Sequence, residues 1–204
     1  DLGEAFWRMA ERMGANGLRV VPVKGMTQGG VTVGDTILIP VQSVPERILL
    51  GRMAHEATHV KGLAGDEDVA NLERMVNPDH PTAKKAAEAM RRMYLPGFMH
   101  AAKNAGMEIG PARLRAKSET DSYVRRYGRS EIVAYLSEQM VNGVNSLGDF
   151  DLREVFGIRR QPAEVAVGRL LGRIGFGKEQ ANGVVKSAER EVQGVQRGID
   201  ERLA

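Results

Sequence analysis

The chain reads as an α+β fold: a small antiparallel sheet packed on one active-site helix, with a mainly helical remainder. Three observations predict it. Short β-branched runs with turn signals are confined to residues 18–40. Helical periodicity dominates on either side of them. The helix expected directly after the last strand carries His55-Glu56-Ala57-Thr58-His59, an HExxH motif.

Taken in order, residues 2–14 place Leu2, Phe6, Met9, Ala10 and Met13 at helical spacing, and Gly14, Asn16 and Gly17 end that helix. Leu18-Arg19-Val20-Val21-Pro22-Val23 predicts a strand, and Gly29-Gly30 a turn. Val31–Val33 and Thr36–Pro40 flank Gly34-Asp35 and predict a hairpin closed by a two-residue turn. Ser43-Val44-Pro45-Glu46 forms a capping box with proline in the first turn. The helix after it is expected to run through the motif to about Lys61, where Gly62 can terminate it. Residues 66–120 read as mostly helical, with breaks at Asn77-Pro78-Asp79-His80-Pro81 and at Leu95-Pro96-Gly97. Residues 121–142 form another helix. Residues 162–204 read as two helices joined by a glycine-rich turn. The second of these carries Ala181, Val185, Ala188, Val192, Val195 and Ile199 as a stripe for the body or for a partner helix. The expected division is a domain over 1–150 and a helical C-terminal extension over 151–204 that can pack on it.

Composition narrows the chemistry. The chain is 42% hydrophobic, enough for a core, and has no cysteine. A disulfide framework and thiolate metal ligands are therefore excluded, and any ligands must be His, Asp or Glu. A net charge of +3 is too small to argue for nucleic acid. No apolar run approaches the ~18 residues a membrane helix needs, and no signal peptide is visible. The expected location is cytoplasmic or virion-associated. The chain begins at Asp1 rather than Met, which reads as a fragment, an excised domain or a processed product.

Within a helix, residues four apart share one face, so His55 and His59 can bind one zinc ion while Glu56 reaches a water bound to it. A composition-matched random chain would contain the motif with a probability of roughly 0.6%. Two of the four histidines lie in it. The bland alternative is a pair of helix-surface histidines beside a solvated glutamate. The uncharged neighbours Met53, Ala54, Ala57, Thr58 and Val60 favour a buried metal helix; Lys61 is the exception.

Such a zinc site needs a third protein ligand and an open position for water. The continuation HExxHxxGxxH matches through Gly62, but Gly65 stands where a third histidine belongs and Asp66 is one residue off. Further on, Glu131 and Glu138 lie seven apart in an apolar helix, where a carboxylate is expensive to bury unpaired. The alternative is that both face solvent and pair with Arg125, Arg126 and Arg129. His80, His100, Tyr123, Tyr127 and Tyr135 are candidates to stabilise an oxyanion, and each has an ordinary loop or core reading beside it. Lys84, Lys85, Arg91 and Arg92 read as a solvated basic face. Gly172–Glu179 nearly spells a phosphate loop, but Glu179 replaces the Ser/Thr that would hold Mg²⁺, so a helix–helix turn explains it.

The pattern of an apolar residue, Ala54 and HExxH, followed by tyrosines and Arg129-Ser130-Glu131-Ile132-Val133-Ala134, resembles zincin metallopeptidase domains of antirestriction and polyvalent proteins of phages and mobile elements. The resemblance covers about 18–142, and the 72-residue gap from His59 to Glu131 is long for it. It implies a gluzincin-like site with zinc on His55, His59 and Glu131, Glu56 as general base, and Glu138 as the substitute third ligand. It also implies that substrate backbone lies along the strand before the motif helix, here Thr36–Ile39, whose alternative role is that of an ordinary paired strand. The expected function is zinc-dependent peptide hydrolysis on a protein or peptide substrate, with the chain's own parent polypeptide as one candidate. The rivals are a non-enzymatic, zinc-stabilised module that binds nucleic acid or a protein partner, and a zincin toxin with one narrow target.

Overall fold

The computed structural model describes residues 2–26, 29–41, 45–60 and 66–176. They form an α+β fold of six α-helices, a 3₁₀ segment and a three-stranded sheet. The first helix, α1 (Glu4–Ala15), buries Phe6, Met9 and Met13, the periodic face that the sequence predicts. Strands β1 (Arg19–Val23), β2 (Val31–Val33) and β3 (Thr36–Pro40) follow. The β2–β3 hairpin turns at Gly34, whose φ of 63° fits the first central position of a two-residue hairpin turn.

The sheet is mixed rather than antiparallel. Its order is β1-β3-β2: β3 runs parallel to β1, with Arg19 opposite Thr36 and Val23 opposite Pro40, and antiparallel to β2. The segment after β1 crosses over before the hairpin returns, so the hairpin's second strand pairs with β1. The Thr36–Ile39 stretch, expected at the edge, is therefore the central strand, with Ile37 and Ile39 fully buried. The edge beside the motif helix belongs to β2.

Helix α2 (Glu46–Thr58) carries the motif and is capped by His59. It stops earlier than the sequence suggests; Lys61, Gly62 and Gly65 lie outside the described residues, as does Ser43 of the expected capping box. Glu46 begins the helix instead of standing at its third position. Its carboxylate accepts the Phe6 N–H at 2.8 Å and so caps α1 from across the fold. A Cβ at Gly3 would fall 2.3 Å from that carboxylate, so a side chain there would displace the cap.

Helix α3 (Asp66–Met75) leads to the Asn77–His80 turn, where a break occurs as predicted. Helix α4 (Pro81–Asn104) runs straight through Pro96, and the break expected at Leu95-Pro96-Gly97 does not occur. An interior proline removes one hydrogen bond and can bend a helix, but tertiary packing can carry the helix past it. A short connection at 105–108 precedes α5 (Ile109–Asn142), a single 34-residue helix that absorbs the separate helix expected over 121–142. α5 packs on both α4 and α2. The 3₁₀ segment Leu152–Arg159 and helix α6 (Arg160–Arg173) add Leu152, Val155, Phe156, Val167, Leu170 and Leu171 to the same core that holds Phe6, Met53 and Met90. The apolar stripe over 181–199 and the Gly177–Glu179 part of the phosphate-loop-like run lie outside the described residues. No described helix is long and apolar enough to cross a membrane.

Candidate metal centre

The site forms where α2 and the C-terminal half of α5 cross. α2 is buried nearly all round, through Leu49, Gly51, Met53, Ala54, His55, Glu56, Ala57 and Thr58. Small residues allow the close approach. A Cβ on Gly51 would lie 2.2 Å from the Asn142 amide nitrogen and 3.1 Å from Glu138 Cγ. The two helices run past each other so that Gly51 faces Asn142, His55 faces Glu138 and Glu131, and His59 faces Glu131. Glutamates seven apart on α5 thus both reach the motif helix.

His55, His59 and Glu131 offer one ligand atom each within 4.8 Å of one another, and among the described residues they are the group that could hold a metal ion. The two Nε2 atoms are 3.4 Å apart. His55 Nε2 lies 3.6 Å from Glu131 Oε2, and His59 Nε2 lies 3.8 Å from Glu131 Oε1. Donors ~2.1 Å from a tetrahedral zinc are ~3.4 Å from each other, so the trio fits that ion with little adjustment. Burial first, and the neighbouring His59 second, push the His55 pKa well below its ordinary value. His55 is therefore a neutral imidazole, the form that ligates. Two imidazoles and a carboxylate are a donor set that suits zinc.

Glu131 is buried at 4% exposure, so it does not face solvent beside the arginines. Both its oxygens accept hydrogen bonds: Oε1 from Tyr123 at 2.6 Å and Oε2 from Tyr94 at 2.9 Å. Tyr135 lies 3.0 Å from the Tyr94 hydroxyl, and its ring packs at 4.3 Å on the His55 imidazole. Burial, with the Glu131 carboxylate contributing, raises the pKa of all three phenols, so they remain donors.

Glu56, next to His55 on α2, meets β2. Thr32 Oγ1 lies 2.8 Å from Glu56 Oε2 and 2.8 Å from the Glu56 carbonyl, so its one hydrogen serves either acceptor. A Cβ on Gly30 would stand 2.6 Å from the Glu56 side chain; the glycine leaves room for that carboxylate. Burial pushes the Glu56 carboxyl up to about 7, against the Thr32 hydrogen bond and with help from Glu131 and Glu138. A base in that range suits proton transfer near neutral pH.

The remaining candidates separate from the cluster. His80 caps α4, its Nδ1 accepting the Thr82 N–H at 3.2 Å. His100 meets Asn104 on an exposed face of α4. Tyr127 is 42% exposed and meets the Tyr123 ring at a tilt, with the Arg126 guanidinium over its own ring. The Asp66 side chain lies outside the described residues. Glu138 is buried, but its oxygen faces His55 Nδ1 at 3.8 Å rather than the shared Nε2 side. Sequence reasoning missed Tyr94, because Pro96 read as the end of its helix. It also missed Thr32, whose one available signal is a polar residue between two valines on a strand.

Compared with protein-family models, curated proteins and solved structures, the chain matches none.

Proposed function

We propose that the protein is a zinc-dependent peptidase of zincin type, with His55, His59 and Glu131 holding the metal and Glu56 as general base. The observation that carries this reading is the separation of roles between two buried carboxylates. Glu131 converges with the histidines, whereas Glu56, next to a ligand in sequence, stands outside that group with Thr32 hydrogen-bonded to it, available for proton transfer. A purely structural metal site needs no such base.

Zinc, when bound, supplies a Lewis acid for the scissile carbonyl and an acidified water. Glu56 accepts the proton of the attacking water and returns it to the leaving amine. Tyr94 and Tyr123 orient the Glu131 carboxylate through its two oxygens. β2 is the strand that reaches the base, through Thr32, and as the outer strand of the sheet it is the edge an extended substrate backbone would pair with. The resemblance to domains of antirestriction and polyvalent proteins of phages and mobile elements makes the parent polypeptide a first substrate to try, with general protein and peptide substrates beside it.

The test compares zinc-loaded protein with its Glu56→Gln variant on casein and on a quenched-fluorescence peptide library. The expected result is retained zinc and at least about a hundredfold lower turnover, the contribution typical of a general base. Unchanged turnover in the variant overturns the mechanism. A zinc-loaded parent that cleaves neither substrate favours the zinc-stabilised module.

A further inference from the structure

The carboxylate left over by this arrangement is Glu138. It is 2% exposed on α5, one helical turn before Asn142. The Ser146 hydroxyl donates to its Oε1. Its other oxygen, Oε2, faces His55 Nδ1 at 3.8 Å. That nitrogen is buried and has no hydrogen-bond partner, while Nε2 of the same ring belongs to the ligand cluster. The ring thus lies between two carboxylates on one helix, with Glu131 on its Nε2 side and Glu138 on its Nδ1 side. An imidazole has one nitrogen to give to a metal and one N–H to satisfy, and a buried N–H without an acceptor is costly.

We propose that Glu138 is a positioning residue: it accepts the Nδ1–H of His55 and so fixes the tautomer and ring orientation that present Nε2 to the metal. This rests on the zinc reading above. At 3.8 Å the contact is longer than a hydrogen bond, so the role requires the Glu138 carboxylate to move toward Nδ1 when the metal is held. The site is built for this approach. Gly51, one turn before His55, has no side chain where Glu138 and Asn142 come against α2. Carboxylates that orient ligating histidines in this way raise ligand basicity, and their loss typically weakens metal binding 10–100-fold.

The experiment measures zinc affinity by competition with a chromophoric chelator for the full chain and for Glu138→Gln, Glu138→Leu and Glu131→Ala. The metal-free unfolding temperature of each variant is recorded alongside. The expected order is a loss of about tenfold for Glu138→Gln, which keeps an acceptor but not the charge. Glu138→Leu should lose up to about a hundredfold, and Glu131→Ala should lose the most. Glu138→Gln, which keeps an acceptor for Ser146, should unfold close to the parent without metal, so its loss of affinity reports on His55 and not on the fold. Long-range nitrogen–proton NMR of the zinc form should show His55 protonated at Nδ1 in the parent. That N–H resonance should shift or vanish in Glu138→Leu. Parent-like affinity and an unmoved resonance in both Glu138 variants overturn the inference while leaving the zinc site standing. A parent that binds no zinc overturns the site itself.

Discussion

Replacing Glu56 by Gln should stabilise the metal-free protein, and should do so only above acidic pH. Burial holds the Glu56 carboxyl at about 7 against an ordinary 4.5, so the folded state favours the protonated form. That difference corresponds to about 3 kcal/mol. The sign follows from proton linkage. A carboxyl whose pKa is raised on folding contributes stability that is complete below about pH 4.5 and is lost as pH rises through about 7. At pH 8 the folded protein must either carry a desolvated anion or retain a proton the solvent would remove. Glutamine is a neutral mimic of the protonated acid, and its carbonyl can still accept from Thr32. The substitution should therefore be near neutral at pH 4.5 and stabilising by about 3 kcal/mol at pH 8, which for a chain of this size is roughly 6–12 °C in unfolding temperature. The assay is thermal or urea unfolding of both proteins in excess chelator from pH 4.5 to 8, plotted as the difference. Adding zinc should shrink that difference at pH 8, because a cation beside the carboxylate favours its charged form. A flat difference curve would refute the claim that this carboxyl is desolvated in the fold, and with it the basis for a base tuned to neutral pH.

Other outcomes follow from the same geometry. The purified protein should bind one zinc per chain by elemental analysis, and the double variant His55→Ala, His59→Ala should bind none. Gly51→Ala should place a methyl 2.2 Å from the Asn142 amide. It should displace the Asn142 side chain and crowd Glu138, cost about 1–3 kcal/mol in urea unfolding and weaken zinc binding; wild-type stability would show that the crossing tolerates a side chain.

How much of this was legible in the sequence depends on how local each feature is. His55, Glu56 and His59 were readable because a helix converts a spacing of four into a shared face, whatever surrounds it. The β2–β3 hairpin was readable for the same reason, since Gly34-Asp35 encodes its own turn. Which strand lies in the middle was not, because strand order depends on the crossover after β1 and not on any strand's composition. Reading neighbours in sequence as neighbours in space put Thr36–Ile39 at the edge and left Thr32 unnoticed. Glu131 and Glu138 could be nominated together, as costly carboxylates in an apolar helix, but not told apart by spacing. Their places against the two histidines are set by the register of α5 on α2, where Gly51 meets Asn142 across 91 positions of chain. Tyr94 was lost through Pro96: the proline's local preference yielded to packing, and the helix carried on past it.

The same residues form a physical argument for a cation. Three glutamates, Glu56, Glu131 and Glu138, are all less than a tenth exposed and gather around two imidazoles, of which His55 is held neutral. Hydrogen bonds from Thr32, Tyr94, Tyr123 and Ser146 satisfy oxygens but supply no charge. Arg52 offsets part of the deficit at Glu138, yet burial still raises that carboxyl's pKa. A site that served only stability would replace such groups with apolar ones of similar size, which is often neutral or stabilising. Here the chain instead places glycines at 30 and 51, where a Cβ would strike Glu56 or Asn142 and Glu138, and so makes room for carboxylates that work against one another. A divalent ion between His55, His59 and Glu131 would relieve Glu131 directly and lower the cost of keeping the other two charged. On the zinc reading, the metal-free protein should therefore be locally destabilised at this cluster, and metal binding should relieve it.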